Sequence, residues 1–257
     1  MFSSSVQPSL VSLLSTTSSE CLSLFATQVD SALPADSFIC LLNDASSAPQ
    51  PPTPAMLISP PNILTRDEEG EGYSLDQTVL HIQSPTMRKT YIRCPSSSGV
   101  NLGLQLSWLH LQVRDLGREW SFEVGVCDRA SKRGIIRFST FQKQPALKMS
   151  RPPLLHLPLS FPPASSRPLT AWATINLNLS ALMSHFSSAS LIQPDEQGSG
   201  DDELDVSRPQ ITVPVPSGVY SHVTYIKIYA TCRLRRVWLS EAGPSQALPL
   251  EFDLYGQ

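Results

Sequence analysis

The sequence has few charged residues, few glycines and no long apolar segment, and each shortage excludes a class of protein. Charged residues make up 16% of the 257 residues, too few for a coiled coil or a helical bundle. No segment approaches the ~18 unbroken apolar residues that a membrane-spanning helix requires, so we expect a soluble protein. Glycine occurs 12 times, and there is no glycine-rich phosphate-binding loop. Metalloprotease, nucleophile-elbow and protein-kinase motifs are also missing, so we predict a protein that is not an enzyme and holds no cofactor.

Cysteine and histidine are sparse and widely spaced, which argues against a disulfide framework and against a metal site. The five cysteines form no CxxC pair, and an odd number does not suit a set of disulfides. We therefore predict free thiols in a reducing compartment such as the cytoplasm. The five histidines have no ligand spacing, so no metal site is predicted. Lysine and arginine are absent from residues 1–25, which argues against a secretory signal and against an organelle transit peptide.

Two segments differ in composition from the rest and are predicted to be flexible insertions in one domain that spans residues 1–257. Residues 30–74 contain a proline-rich stretch and an acidic run, and residues 187–217 contain acidic runs flanked by glycine, serine and proline. Such stretches bury too little apolar surface to offset the entropy lost on ordering. They hold thirteen acidic and two basic residues, so the remainder carries a formal charge of +8, against −3 for the whole chain. The expected charge distribution is a basic domain with acidic insertions.

The remaining sequence alternates apolar and polar residues with the period of two that is typical of β-strands. Alternation from Trp120 to Val126, followed by a turn at 128–134 and another apolar run, predicts a hairpin. Alternation over 173–179 predicts a further strand, and a short helix is expected over 178–186. Many short strands separated by turns indicate an all-β fold, a single sandwich or jelly-roll-like domain with at most one or two short helices.

Four other segments have less regular patterns. Residues 6–14 have helix-like apolar spacing, which Pro8 and neighbouring serines weaken. Residues 102–113 alternate but change phase midway, which suggests a β-bulge or a strand buried on both faces. Apolar residues mixed with prolines over 154–163 suit an edge strand. Alternation over 250–254 predicts the last strand.

Basic residues cluster in two strand-like stretches, which are the candidate contacts with an acidic macromolecular partner. In the run from Tyr225 to Ser240, alternation places apolar residues on one face and basic and aromatic residues on the other. Arginine presents a planar fork that pairs with carboxylates or phosphates. The alternative interpretation of both clusters is a solvated face that keeps an edge strand soluble. The candidate partner-binding residues are Arg129, Lys132, Arg133 and Arg137 on the predicted hairpin, and Lys227, Arg233, Arg235 and Arg236 in the later run.

The four tryptophans leave two roles open. Core packing is the commoner role, and Trp120 is in phase with the apolar face of its predicted strand. Trp238 follows a phase slip at Arg236 and is a candidate for an outward-facing position. Exposed tryptophans on a sandwich face would allow stacking on sugars or bases, which is the alternative.

Five motifs, in this order along the chain, resemble a known family. They are residues 90–95 (TYIRCP), 102–106 (LGLQL), 120–124 (WSFEV), 228–240 (IYATCRLRRVWLS) and 248–255 (LPLEFDLY). Together they resemble the family of the cilia- and flagella-associated protein of the microtubule inner junction. The acidic insertions depart from the family pattern, as does Ala-Trp-Ala at 171–173, where the family has Gly-Trp-Asn.

The resemblance covers residues 1–29, 75–186 and 218–257, and it implies a function. Members of this family are single β-sandwich domains that bridge the A- and B-tubules of doublet microtubules in the axoneme, where they support cilium and flagellum integrity and motility. The implied partners are tubulin and an inner-junction neighbour similar to the parkin co-regulated protein, with no membrane. The alternative is a centriolar or nuclear RNA- or DNA-associated module that uses the same basic face. On the first hypothesis, Arg233→Glu with Arg235→Glu is expected to abolish microtubule association and leave the fold intact.

Overall fold

Strands predominate in the computed structural model, which describes residues 6–49, 58–59, 74–75, 77–161, 172–192, 213–216 and 218–253. The α-helices of these residues are α1 (Leu179–Leu182) and α2 (Leu250–Asp253), and short 3-10 helices lie at Met183–Ser187, Ala189–Leu191 and Gly243–Ser245. No helix in the described part of the chain is long and apolar enough to cross a membrane. The strands are β1 (Leu10–Ser15), β2 (Ala26–Gln28), β3 (Phe38–Asn43), β4 (Ile58–Ser59), β5 (Ser74–Leu75), β6 (Thr78–Gln83), β7 (Tyr91–Cys94), β8 (Trp108–Arg114), β9 (Ser121–Asp128), β10 (Arg133–Ser139), β11 (Ala146–Lys148), β12 (Leu154–Pro158), β13 (Trp172–Asn178), β14 (Tyr220–Tyr229) and β15 (Cys232–Ser240).

The strands form two large sheets, which confirms the predicted all-β sandwich. The six-stranded sheet has the order β13-β8-β15-β6-β3, and β1 also pairs with β15. The seven-stranded sheet has the order β11-β12-β10-β9-β14-β7-β2, and within it β10 and β12 are parallel. The short strands β4 and β5 pair with each other. The predicted hairpin is β9 and β10, paired from Cys127 opposite Arg133 to Ser121 opposite Ser139.

One apolar cluster joins the inner faces of the two sheets. Alternate residues of each strand contribute to it, as the period-two patterns predict. Each fully buried Leu, Ile, Val or Phe side chain stabilises the fold by roughly 1.5–3 kcal/mol. From the six-stranded sheet the cluster includes Leu109, Leu111, Val113, Leu234 and Val237. From the seven-stranded sheet it includes Phe122, Val124, Ile226 and Ile228, together with Trp120 directly before β9.

The C-terminal segment covers the outer face of the six-stranded sheet, so β8 is buried on both faces. For residues 102–113 a strand buried on both faces was one of the two predicted alternatives, the other being a β-bulge. Phe252 of α2 packs edge-on against Trp238, with ring centroids 5.1 Å apart, and its carbonyl accepts a 2.9 Å hydrogen bond from Gln112. Gly243 lies so close to the Trp108 ring that a Cβ there would come within 2.4 Å of it. Trp238 therefore faces outward from its sheet, yet it is 1% exposed.

The structure corrects two predictions at the ends of the chain. Residues 250–253 form α2 instead of a strand, because the apolar side of this short segment packs onto β15 and β8 rather than into a sheet. Residues 10–15, within the stretch that has helix-like spacing, form the strand β1 on β15. The mixed apolar and proline segment at 154–158 forms β12, but the edge position belongs to its neighbour β11.

Residues 30–74 are not an insertion throughout. Residues 38–43 form β3, which pairs with β6 in continuous register, and Asp30 is 4% exposed. The acidic run at 67–71 lies outside the described residues, as do the acidic runs at 195–205. Since Asp30 and Asp44 belong to the folded domain, the predicted +8 is too high. The described residues contain 16 basic and 11 acidic side chains, a formal charge of +5.

Candidate partner-binding face

A row of charged side chains crosses the outer face of the seven-stranded sheet. The strand register places Arg137 opposite Glu123, Glu123 opposite Lys227, and Lys227 opposite Arg93. His156 of β12 lies opposite Arg137 at the other end. Their neighbours along each strand, such as Phe122 and Ile228, belong to the core, so these five side chains point away from it. We call Arg93, Glu123, Arg137, His156 and Lys227 the charged row; His156 is its neutral end, because burial lowers the pKa of His156 to about 4.

Glu123 holds the centre of the charged row together. Its Oε2 accepts hydrogen bonds from Arg137 Nε at 3.0 Å and Nη2 at 2.6 Å. Its Oε1 accepts a 3.1 Å hydrogen bond from the Tyr225 hydroxyl. Burial lowers the pKa of Arg137, but the hydrogen bond and charge of Glu123, together with Tyr229 and Tyr225, outweigh burial and the pKa is raised overall. Arg137 therefore stays charged, and its guanidinium orientation is defined by the carboxylate.

Tyrosine rings surround Lys227 in the same row. Its Nζ lies 3.6 Å from the centroid of Tyr91 and 4.7 Å from that of Tyr229. Burial lowers the pKa of Lys227, an effect partly offset by Glu123, and burial raises the pKa of Tyr229, which keeps that phenol neutral. Cation–π contacts of this kind stabilise by about 0.5–2 kcal/mol each. They hold the ammonium group in place without neutralising it.

Gly125 makes room for the aromatic part of this face. A register shift between Val223 and Tyr225 gives β14 an extra residue against β9. Such a bulge redirects side chains, and here both Thr224 and Tyr225 lie over Gly125. A Cβ at Gly125 would come 2.2 Å from Thr224 Oγ1 and 2.4 Å from the Tyr225 ring. Only glycine fits this position while Tyr225 keeps its bond to Glu123.

The tip of the β9–β10 hairpin is also basic and lies beyond the charged row. Arg129 and Arg133 are exposed, and Lys132 is half-buried. The turn is tied by Asp128, whose Oδ1 accepts a 2.8 Å hydrogen bond from the backbone N–H of Lys132. Ser131 takes the left-handed conformation that closes the turn, with φ of 62°. We call the charged row and this tip together the basic face.

The basic face thus contains five of the eight candidate residues predicted from the sequence. Arg137 and Lys227 lie in the charged row, and Arg129, Lys132 and Arg133 form the hairpin tip. The other three candidates, Arg233, Arg235 and Arg236, lie on β15 in the opposite sheet. The predicted continuous strand from 225 to 240 ends at Tyr229, and a new strand starts at Cys232 in the other sheet.

The prediction that Arg233 and Arg235 form an exposed contact surface is wrong. With Arg114 they surround Asp44, and we call these three residues the arginine cluster. Arg114 and Arg233 each place Nη1 2.9 Å from Asp44 Oδ1, and Arg235 Nη2 lies 3.4 Å from Oδ2. The side chains of Arg233 and Arg235 are 11% and 6% exposed. In the folded chain these arginines are enclosed and paired with Asp44.

The arginine cluster is completed by Trp172. Its Nε1 donates a 2.7 Å hydrogen bond to Asp44 Oδ2, and the Arg235 guanidinium stacks 3.8 Å from its ring centroid. Burial raises the pKa of Asp44, but hydrogen bonds from Trp172, Arg233 and Arg114 outweigh burial and the pKa lies below its ordinary value. Asp44 is therefore ionised at neutral pH and compensates the buried positive charge.

Arg236 is also inside the fold, contrary to the prediction. Its side chain is 2% exposed, and its Nη1 donates a 2.9 Å hydrogen bond to Ser15 Oγ. The guanidinium lies 3.6 Å from the Glu251 carboxylate and 4.5 Å from the Phe252 ring centroid. Arg236 thus fastens both β1 and the C-terminal helix α2 to β15.

One buried arrangement has the distances of a catalytic triad. His110 Nε2 lies 2.8 Å from Ser240 Oγ, and its Nδ1 lies 2.6 Å from Asn176 Oδ1. Ser240 is completely buried, and the His110 ring is stacked 4.8 Å from that of Trp238. Burial lowers the pKa of His110, which keeps the ring neutral. Ser240 Oγ also accepts a 3.1 Å hydrogen bond from the Gly243 N–H, so these side chains form a buried hydrogen-bond network. Within the described ranges, no group of three or more His, Cys, Asp or Glu side chains could hold a metal ion.

The candidate residues predicted from the sequence include neither of the acidic residues, Glu123 and Asp44, around which the two clusters are built. In the sequence, Glu123 is one of the polar residues that alternate with apolar ones in a predicted strand. Arg93 lies in the motif at residues 90–95, which was used only for the resemblance to the family. Asp44 was assigned to an insertion. A usable signal existed for Glu123, because it lies on the first strand of the predicted hairpin, and hairpin register puts it opposite Arg137.

Comparison with known proteins places the charged row in a recognised domain. Residues 71–193 match the CFA20 domain, a span that contains every residue of the charged row except Lys227. Cilia- and flagella-associated protein 20 from Chlamydomonas reinhardtii is 25% identical over 182 residues, which are 70% of this chain and 75% of the relative. The proteins of the same name from Caenorhabditis elegans and Caenorhabditis briggsae are each 24% identical over 182 residues, which are 70% of this chain and 70% of each relative.

Proposed function

We propose, because residues 71–193 match the CFA20 domain, that this chain is a non-catalytic structural protein of cilia and flagella. In this proposal it binds axonemal doublet microtubules and bridges the A- and B-tubules at the inner junction, beside a neighbour similar to the parkin co-regulated protein. The relatives are named cilia- and flagella-associated proteins, which supports the ciliary part of the proposal. The contact with the lattice is assigned to the basic face.

The charge of the basic face is the observation that carries this proposal. Its arginines and lysines outnumber its acidic members, since Glu123 is the one carboxylate of the charged row. Tubulin is acidic, so the charges are complementary. The described residues as a whole carry +5, so the field of the folded domain also favours an acidic partner.

Contacts within the protein position part of the basic face. Arg137 is held by Glu123, Lys227 by two tyrosine rings, and the hairpin tip by Asp128. Ordering long side chains on binding costs roughly 0.5–1.5 kcal/mol each, and a face already in position avoids part of that cost. This suits a protein that repeats many times along a filament.

Charge reversal at the hairpin tip tests the proposal. The test variant carries Arg129→Glu, Lys132→Glu and Arg133→Glu, and a tagged copy is expressed in flagellated cells. The matched control carries Arg88→Glu, Arg118→Glu and Lys143→Glu, which are exposed residues away from the tip and change the net charge equally. Both proteins should give the circular dichroism spectrum of the unmodified chain, since none of the six side chains is buried.

Axonemes stripped of membrane and matrix are then extracted with increasing salt. We expect the unmodified chain and the control to stay with the doublets at moderate salt, and the test variant to be released. Equal retention of the folded test variant would reject the hairpin tip as the attachment site. Recovery of the unmodified chain in the nuclear fraction, bound to RNA or DNA with steep salt dependence, would reject the axonemal role and favour the nucleic-acid alternative.

A further inference from the structure

A groove of about 350 Å³ lies beside the charged row, between β10 and the loop at 98–101. Arg93 and Arg133 line it, and Tyr225 and Thr224 contribute to its lining. All the lining residues are described, and none of them is acidic. The volume is at the lower end of the roughly 300–1,000 Å³ found for ligand sites, so it suits one or two side chains of an extended segment rather than a large cofactor.

Local structure builds this groove and keeps it open. The bulge in β14 turns Thr224 and Tyr225 onto the bare backbone of Gly125. The loop that forms the opposite wall is fixed at its end, where the backbone N–H of Leu102 donates a 2.8 Å hydrogen bond to the Thr224 carbonyl. At its other end, Arg93 Nη1 donates to the carbonyls of Pro95 and Ser97, at 2.7 and 3.0 Å.

We infer that this groove binds an extended acidic peptide segment of a partner protein, with Arg93 and Arg133 as the groups that recognise its carboxylates. Two guanidinium groups without a lining carboxylate select an anion, and arginine pairs with carboxylates through two parallel hydrogen bonds. The inference rests on the proposed function, since it gives the acidic partner a defined binding site on the basic face.

The surroundings of Tyr225 favour a peptide over a nucleotide. Its ring contacts Gly125, and the Arg93 guanidinium lies over it at 5.1 Å from the centroid. Its hydroxyl is used by Glu123. Single-stranded nucleic acids are bound by aromatic rings on which bases stack, and little of this ring is available for stacking. Carboxylate side chains need only the two arginines.

A neutral substitution separates the groove from the general charge of the face. Gly99 lines the groove, and a Cβ at this position would meet nothing within 4 Å. Gly99→Trp should therefore fold normally and fill the groove without changing the net charge. Arg133→Glu removes one recognition group, and Arg118→Glu, at the opposite end of β9, is the matched charge control.

The measurement is fluorescence anisotropy of a labelled ten-residue glutamate peptide titrated with the folded chain at 150 mM salt. A glutamine peptide of the same length serves as the uncharged probe, and a ten-residue deoxythymidine oligonucleotide as the rival ligand. We expect the glutamate peptide alone to bind, with a loss of at least tenfold for Gly99→Trp and for Arg133→Glu. Arg118→Glu should change the affinity by less than twofold.

The outcomes distinguish the groove from the proposed function. Unchanged peptide affinity in folded Gly99→Trp would overturn the groove, even if the variant with three reversed charges were released from axonemes. Tighter binding of the oligonucleotide than of the peptide would overturn the choice of ligand. A further outcome is that the unmodified chain is released from axonemes while peptide binding still depends on the groove. That result would reject the proposed function and would keep the inference for another acidic partner.

Discussion

Replacing Asp44 by asparagine should destabilise the protein strongly, because the arginine cluster would lose the charge that compensates it. Asparagine keeps the shape of the side chain but has one accepting oxygen, so its NH2 group would face either Trp172 and Arg235 or Arg114 and Arg233. The substitution therefore removes the charge together with the hydrogen bonds accepted by one oxygen. Arg233 and Arg235 are at most 11% exposed, so their charges would remain buried. Removing one partner of a buried ion pair costs about 3–5 kcal/mol. We expect a loss in that range, against a typical total of about 5–15 kcal/mol.

The same substitution has a defined pH dependence. The pKa of Asp44 lies below its ordinary value, because hydrogen bonds and neighbouring arginines outweigh the effect of burial. Its stabilisation is therefore present above the unfolded pKa of about 3.9 and is lost as the pH falls through the lower folded pKa. The unfolding free energies of the native chain and Asp44→Asn should differ fully at pH 7 and converge below about pH 4.

Urea unfolding followed by tryptophan fluorescence and circular dichroism measures this difference. Asp36→Asn, at an exposed aspartate, is the control and should change the free energy by less than about 0.5 kcal/mol. Adding Arg235→Met to Asp44→Asn should restore part of the loss, because one uncompensated charge is removed and the apolar side chain still packs on Trp172. A loss below about 1 kcal/mol for Asp44→Asn, or no recovery in the double variant, would refute the argument.

Three other substitutions probe the outer faces. Gly125→Ala should cost about 1–3 kcal/mol in urea unfolding, because its Cβ would overlap Thr224 and Tyr225, and shortening Tyr225 to alanine should recover part of it. Phe252→Ala should cost about 3–5 kcal/mol and shift tryptophan emission to the red, because it uncovers Trp238. Burial lowers the pKa of His156 to about 4, so this residue should contribute a loss of about 2 kcal/mol between pH 7 and pH 5, because the unfolded state binds the proton first. The pKa values of His81, His110 and His222 are also lowered, so His156→Gln should reduce the slope without abolishing it, and an equal slope would contradict this.

The parts of the fold that depend on local sequence were predictable. The hairpin of β9 and β10 follows from alternation and a turn within twenty residues, and Phe122 and Val124 entered the core as the pattern indicates. The short helix over 178–186 has a local cap as well, since the Asn178 side chain accepts a 3.1 Å hydrogen bond from the Ala181 N–H. The strand β3 was not predicted because its six residues lie within residues 30–74, a segment whose overall composition is that of a flexible insertion.

The parts that depend on distant residues were not predictable from alternation. Arg233 pairs with Asp44, 189 positions earlier in the chain, and no local pattern identifies such a partner. Alternation assigns Arg233 to the outer face of its strand correctly, but an outer face is exposed only where nothing covers it. Arg236 is covered by residues 251 and 252, whose helix was itself predicted to be a strand.

The change of sheet after Tyr229 gives two neighbouring groups of basic residues different roles. Lys227 lies on β14 in the seven-stranded sheet, where tyrosine rings hold its charge in place without neutralising it, whereas Arg233 lies on β15, where Asp44 neutralises it. Charge reversal on β15 should therefore unfold the protein, and any loss of binding there would carry no information about a partner. Reversal at the exposed tip of the β9–β10 hairpin leaves the buried pairs intact. The partner surface must consequently be mapped on the seven-stranded sheet, with variants whose folding is verified first.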